Sequence, residues 1–212
     1  MALSADEVHS LKQAPLVEGV LPVMHNRWSP RSFADRTVCR DDLHRVFEAA
    51  RWAASSNNEQ PWRFLLGVRD VAPFDEIYTK LLAALLGFNQ EWASAAPVLV
   101  LGVVDAKFAH NGKDNPHALY DLGGAMAHFA LQATALGLTT RQLAGFNPEL
   151  VRDSLHIPPN YVLGVITALG YQGEPSALEN EKLQAREVAP RERKPLTELV
   201  FSSWGEPADL RD

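Results

Sequence analysis

Arg27-Trp28-Ser29-Pro30-Arg31-Ser32-Phe33 sets two guanidiniums on either side of a hydroxyl, and a second basic pair, Arg191 and Arg193, lies far along the chain. The planar guanidinium fork suits phosphate oxygens and also electron-rich ring oxygens. An Arg-x-Ser-x-Arg element can therefore hold a phosphate at one end and a heterocycle at the other. Together the two basic elements point to a phosphate-bearing cofactor. Taken alone, the first motif is more often a solvated loop at a Ser-Pro turn. A second segment shifts that weighting. Ala54-Ser55-Ser56-Asn57-Asn58-Glu59-Gln60-Pro61-Trp62-Arg63-Phe64 is a dense run of small polar side chains leading into an apolar strand. It offers many hydrogen bonds and little hydrophobic driving force, although Ser and Asn are also ordinary turn residues.

These elements resemble the FMN-dependent nitroreductase family, whose members open with Arg-x-Ser-x-(Arg/Lys) and continue through an Asn-x-Gln-Pro-Trp loop, here Asn58 to Trp62. Further points of agreement are Asp121-Leu122-Gly123-Gly124-Ala125-Met126 opening a long apolar helix, Ala135-Leu136-Gly137-Leu138 at its end, Gly145-Phe146, Leu169-Gly170-Tyr171, and Arg191-x-Arg193-Lys194-Pro195-Leu196. Their order and spacing carry the resemblance over most of the chain.

The resemblance implies a nitroreductase-like α/β (α+β) fold, with a central mixed, mostly antiparallel sheet flanked by helices and two subunits intertwined as a homodimer. It implies one domain over residues 1–212, whose extension at about 195–212 embraces the partner. FMN would be the cofactor and NADH or NADPH the co-substrate. Arg27, Arg191 and Arg193 would hold the FMN phosphate, while Ser29 and Arg31 would reach the pyrimidine edge of the flavin. Trp28 is counted with this cofactor-binding set, although it replaces the arginine or histidine common there. Ser55, Ser56 and Asn58 would come from the partner subunit, with Gln60 supporting their loop. Ala144 and Gly145 match the position whose backbone N–H groups face flavin N5, Ala144 standing where some members carry a glutamate. Asn89 would approach the ribityl chain. No residue is expected to act as a catalytic group in its own right, because the flavin carries the redox chemistry and the protein supplies orientation and electrostatics. Arg31 would give electrostatic support, as a fixed cation beside the negative charge of the reduced ring.

There is no Gly-x-Gly-x-x-Gly after a strand, hence no dedicated nicotinamide domain. Both substrates would share one flavin face in a ping-pong scheme, reducing nitroaromatic, quinone or related acceptors. The alternatives are a flavin-binding storage or sensor protein, and a specialised member such as a reductive dehalogenase. The segment 105–117 and the helix around Phe88 and Trp92 are expected to shape the acceptor pocket.

The 212 residues, 46% hydrophobic, can bury one substantial core. A net charge of −6 argues against nucleic acid as the main partner. Cys39, the one cysteine, excludes an internal disulfide and reads as a small semi-buried residue before a helix. The seven histidines form no ligand set, so no metal is expected. Residues 1–18 carry no continuous apolar run and no stretch reads as a membrane span, which predicts a cytoplasmic protein.

Periodicity predicts a helix capped by Asp41 or Asp42, with Leu43, Val46, Phe47, Ala50 and Ala54 on its apolar side. Strands are expected at 62–68, 97–104 and 161–171, the last clear one. A helical run containing Ile77, Leu81 and Phe88 separates the first two, and Asn147-Pro148 starts a short helix reaching about Leu155. The helix from Tyr120 to Leu136 is apolar around much of its circumference, which favours burial on more than one side and a subunit interface.

Overall fold

The computed structural model describes residues 3–15 and 17–210; Arg211 and Asp212, at the tip of the expected extension, lie outside the described residues. The chain begins with α1 (Ala5–Leu11), where Ser4 and Glu7 form a reciprocal capping box, and α2 (Pro22–Asn26). Then come α3 (Arg40–Arg51), a 3₁₀ turn (Ser56–Asn58), β1 (Trp62–Val68), α4 (Asp75–Ala84), α5 (Gly87–Ala93) and β2 (Val98–Asp105). The second half holds α6 (Ala118–Ala135), β3 (Thr139–Leu143), α7 (Pro148–Ser154), β4 (Tyr161–Gly170), α8 (Glu181–Val188), β5 (Phe201–Ser203) and β6 (Glu206–Pro207).

Four strands pair in the order β1-β2-β4-β3, so the expected mixed sheet is antiparallel at each of its pairings. β2 is buried from Val98 to Val104 and shows why the sheet needs helices on both faces. Leu99, Leu101 and Val103 pack to one side with Leu81, Trp92, Val151 and Leu183 from α4, α5, α7 and α8. Val98, Val100 and Val104 pack to the other with Val46 and Ala50 of α3 and Met126 and Phe129 of α6. The aromatic contact between α3 and α6 is edge-on, with Phe47 and Phe129 centroids 5.4 Å apart.

Several local expectations shift. Cys39, exposed, is the N-cap residue of α3, and Asp41 and Asp42 fall in its first turn, where their charge favours the positive end of the helix without capping it. Ala54 lies beyond the helix and is exposed. The run between β1 and β2 is two helices, broken at Leu85-Leu86. Asn147 accepts the N–H groups of Glu149 and Leu150 at 3.1 Å, so α7 starts and stops close to expectation. Gly137, at φ 73°, follows α6 in the left-handed conformation that ends helices and turns the chain into β3.

α6 is buried along Ala118, Asp121, Leu122, Ala125, Met126, Phe129, Ala130 and Ala133. Its other side, Leu119, Tyr120, Gly123, Gly124 and Ala127, is exposed, as are the neighbouring Leu21, Met24 and Trp52. Beyond Pro195 the chain forms an outlying hairpin of β5 and β6, with Leu196, Leu199, Phe201 and Trp204 open to solvent.

Candidate functional site

The Arg27–Arg31 segment leaves α2 in extended conformation and runs along the end of the sheet. Arg27 donates to Ser29 Oγ at 3.3 Å. Arg191 is brought beside it from 164 residues further on, its guanidinium donating to the carbonyls of Lys12 at 2.6 Å and His25 at 2.9 Å. Burial pushes the Arg27 guanidinium below its ordinary value, and Arg193 adds to the effect. Burial likewise lowers Arg191, helped by Arg27 and Arg193. The sequence-predicted Arg27, Ser29, Arg191 and Arg193 thus converge, and three like charges face one another. Among the described residues none of these arginines has a carboxylate within 4.0 Å.

Arg31 belongs to an adjoining group that the sequence reading did not find. Arg141 of β3 lies on the same side of the strand as Leu143 and donates to the carbonyl of Ser29. Its guanidinium sits 5.5 Å from the centroid of Trp92. Burial depresses it to about 10, and the nearby Arg31 adds to the shift. Arg31 is itself lowered by burial, against the opposing pull of Glu187, and its Nε is buried without a partner. Lys12, 4% exposed, donates to the carbonyls of Arg186 at 3.2 Å and of Ala189 and lies over the ring of Trp28. Trp28 is buried among core and cavity residues, with its indole N–H unpartnered.

Ala144 and Gly145 follow β3 directly. Neither backbone N–H has an acceptor among the described residues. The loop is held from behind, because Asn89 Nδ2 and the amide of Leu86 donate to the Gly145 carbonyl at 3.0 and 3.1 Å. A Cβ at Gly145 would lie 2.7 Å from Asn89 Nδ2, so a side chain there would displace that support. Asn89 is placed as the prop of this loop.

The 55–60 loop stands apart. Asn57, Asn58 and Gln60 all have φ between 50° and 55°, a conformation that Asn tolerates better than most residues. The loop is self-bonded, Gln60 N–H to Ser55 Oγ at 2.9 Å and Gln60 Nε2 to the Asn58 carbonyl at 2.9 Å, and Asp121 anchors it by accepting the amide of Ser56. Among the described residues no hydrogen bond or ion pair joins it to Arg27, Arg31, Arg141, Arg191 or Arg193; the arginine it meets is Arg63, which donates to the Gln60 carbonyl at 3.1 Å. Glu59 also reaches the 105–117 segment, accepting the amide of Ala109 at 2.7 Å. In the expected pocket wall Phe88 is exposed, whereas Trp92 and Asn115 are buried.

The fold and the site define an α/β protein with helices on both sides of an antiparallel sheet and a carboxylate-free arginine cluster at the sheet's end. A model of the nitroreductase family matches residues 24–87 and 67–171, and the chain belongs to that family. A solved oxidoreductase containing FMN is 30% identical, with a TM-score of 0.81 covering 95% of this chain and 97% of the other. A nitroreductase family protein of Clostridium difficile 630 is 27% identical, with a TM-score of 0.65 covering 85% and 95%. An NADH dehydrogenase of Thermus thermophilus is 28% identical over 195 residues, 74% of this chain and 92% of that one.

Proposed function

We propose that this chain is an FMN-dependent oxidoreductase that works as a homodimer and uses NADH or NADPH to reduce nitroaromatic, quinone or related acceptors by two electrons. The observation that carries the reading is the convergence of Arg27, Arg191 and Arg193 with no carboxylate to neutralise them. Such a cluster calls for a multiply charged anion, and guanidiniums match phosphate oxygens. The unpartnered Arg31 Nε and the free N–H groups of Ala144 and Gly145 fit a polar ring system beside that phosphate.

FMN, when bound, supplies the two-electron redox chemistry. The three arginines hold its phosphate end. Ser29 and Arg31 reach the pyrimidine edge, and the Arg31 cation stabilises the negative charge that accumulates there on reduction. Ala144 and Gly145 donate from across the sheet, so Ala144 serves through its backbone where a glutamate side chain is not available. Trp28 packs beneath the motif. Ser55, Ser56 and Asn58 act on the cofactor of the second copy, with Gln60 bracing them. Donor and acceptor occupy the same pocket in turn in this reading, which needs no separate nicotinamide-binding motif.

The dimer is supported by the open apolar side of α6, by Trp52 and Met24 beside it, and by the exposed hairpin, since clustered apolar side chains on a surface mark interaction sites. The extension at 195–212 would close over the partner, completing a single-domain subunit. No helix among the described residues is long and apolar enough to cross a membrane, and a cytoplasmic location fits NADH or NADPH as the electron donor.

The visible absorption spectrum of the purified protein, followed by anaerobic addition of NADH and then NADPH, tests this. A yellow protein bleached by one nucleotide is expected. A colourless protein that takes up no FMN overturns the cofactor, and a yellow one that neither nucleotide bleaches makes it a flavin-binding protein without this activity.

A further inference from the structure

Glu187, in the last turn of α8, is 1% exposed, and no part of the proposed function uses it. A carboxylate so deep must be compensated. Arginines surround it, yet neither oxygen forms an ion pair within 4.0 Å among the described residues. Both accept backbone donors instead. Oε1 takes the amides of Arg31 at 2.8 Å and Ser32 at 3.0 Å, and Oε2 lies 3.1 Å from the Arg31 amide. Its charge meanwhile favours the cationic forms of Lys12, Arg31 and Arg141.

The choice of partner has a chemical consequence. A fork-to-fork pair between Glu187 and the Arg31 guanidinium would occupy the donors that a ligand needs. By gripping the main chain, Glu187 leaves those donors available and still lowers the cost of holding Arg31 and Arg141 charged and close together. The segment is held from its other side by Arg141, which donates to the Ser29 carbonyl. Ser32 Oγ donates to the Glu174 carbonyl at 2.5 Å, tying the same stretch to the chain leading into α8.

We infer that Glu187 is the positioning residue of the cofactor-binding segment: it clamps the backbone at Arg31 and Ser32 and tempers the positive field beside the flavin ring while leaving the Arg31 guanidinium free to bind. The field part rests on the FMN reading above; the clamp does not.

Two substitutions separate these roles. Glu187→Gln keeps an oxygen for both amides and removes the charge, and Glu187→Ala removes both. Amide hydrogen exchange over residues 27–33 in protein stripped of cofactor reads the clamp. Exchange at Arg31 and Ser32 is expected to be at least about tenfold faster in Glu187→Ala and within about threefold of wild type in Glu187→Gln. Unchanged exchange in Glu187→Ala overturns the clamp whether or not the protein binds FMN.

The flavin midpoint potential reads the charge. Glu187→Gln leaves the site more positive, so reduced flavin should be favoured about tenfold, a rise of about 30 mV for a two-electron couple. An unchanged potential in Glu187→Gln with FMN bound reduces Glu187 to a purely structural contact and overturns the inference. A wild-type protein that takes up no FMN defeats the functional reading instead, and the exchange comparison still decides the clamp.

Discussion

Asp121 accepts the amide N–H of Ser56 at 3.1 Å, so the first turn of α6 holds the loop expected to reach a second copy's cofactor. Asp121 is 4% exposed, and removing it strands a backbone donor. Asp121→Ala should cost about 1–3 kcal/mol of stability and weaken FMN binding, while Asp121→Asn, which keeps an acceptor, should recover most of both. Thermal unfolding and flavin titration of the two variants check this.

Arg191 and Arg193 differ in their attachments and should differ on substitution. Arg191 bonds to two main-chain carbonyls, whereas Arg193 is exposed and, among the described residues, bonds only to the neighbouring carbonyl of Glu192. Arg193→Ala should weaken FMN by about 10- to 100-fold with the unfolding temperature of the cofactor-free protein unchanged. Arg191→Ala should lose both. Inorganic phosphate should stabilise the cofactor-free wild type, by about 2.7 kcal/mol at a hundred times its dissociation constant, and have a weaker effect on Arg193→Ala.

Arg31→Ala removes the cation proposed to lie beside the flavin ring. The flavin potential should fall, and reduction by NAD(P)H should slow by about a hundredfold, as when one preorganised donor is lost from an active site. Anaerobic stopped-flow bleaching and a redox titration measure the two effects.

Arg141 has a pH signature. Its folded pKa, about 10, lies below its ordinary value, so there is a window opening at about pH 10 in which the unfolded chain holds a proton that the folded chain has lost. Stability contributed at this position therefore rises with pH across that window and is flat below it. Denaturant unfolding of wild type and Arg141→Leu should differ by a constant amount near neutrality and change in favour of wild type above about pH 10.

Association should be visible in tryptophan emission. Trp52 and Trp204 are 71% and 96% exposed, while Trp28, Trp62 and Trp92 are buried. Dimer formation would move the first two out of water, giving a concentration-dependent blue shift. Leu131→Asp, on α6 beside the cleft that holds Trp52, should abolish that shift and give a monomer by sedimentation.

The sequence disclosed the parts of the fold that follow from period and capping. β1, β2, β4, α3, α6 and α7 stand within a few residues of expectation because their apolar spacing decides them. β3 was not legible, since Thr139-Thr140-Arg141-Gln142-Leu143 owes its strand character to pairing with β4. α8 was hidden for a related reason: it is mostly polar, with Leu183, Ala185 and Val188 as its apolar residues, and buries a glutamate, a residue type seldom found inside. Arg27, Ser29, Arg191 and Arg193 were readable because guanidinium chemistry advertises itself. Arg141, Glu187 and Asp121 were not, because each works through main-chain atoms, and no residue spacing records which backbone amide or carbonyl a distant side chain will meet.

The proposed division of each site between two copies has a genetic consequence. If each site draws its arginines from one copy and its serines from the other, a chain defective in the first and a chain defective in the second can rescue each other. In a mixed dimer of Arg193→Ala and Asp121→Ala, both lesions fall in one site and the other is assembled from intact halves. At an FMN concentration low enough to leave both variants empty, random pairing of the two would restore about a quarter of wild-type activity.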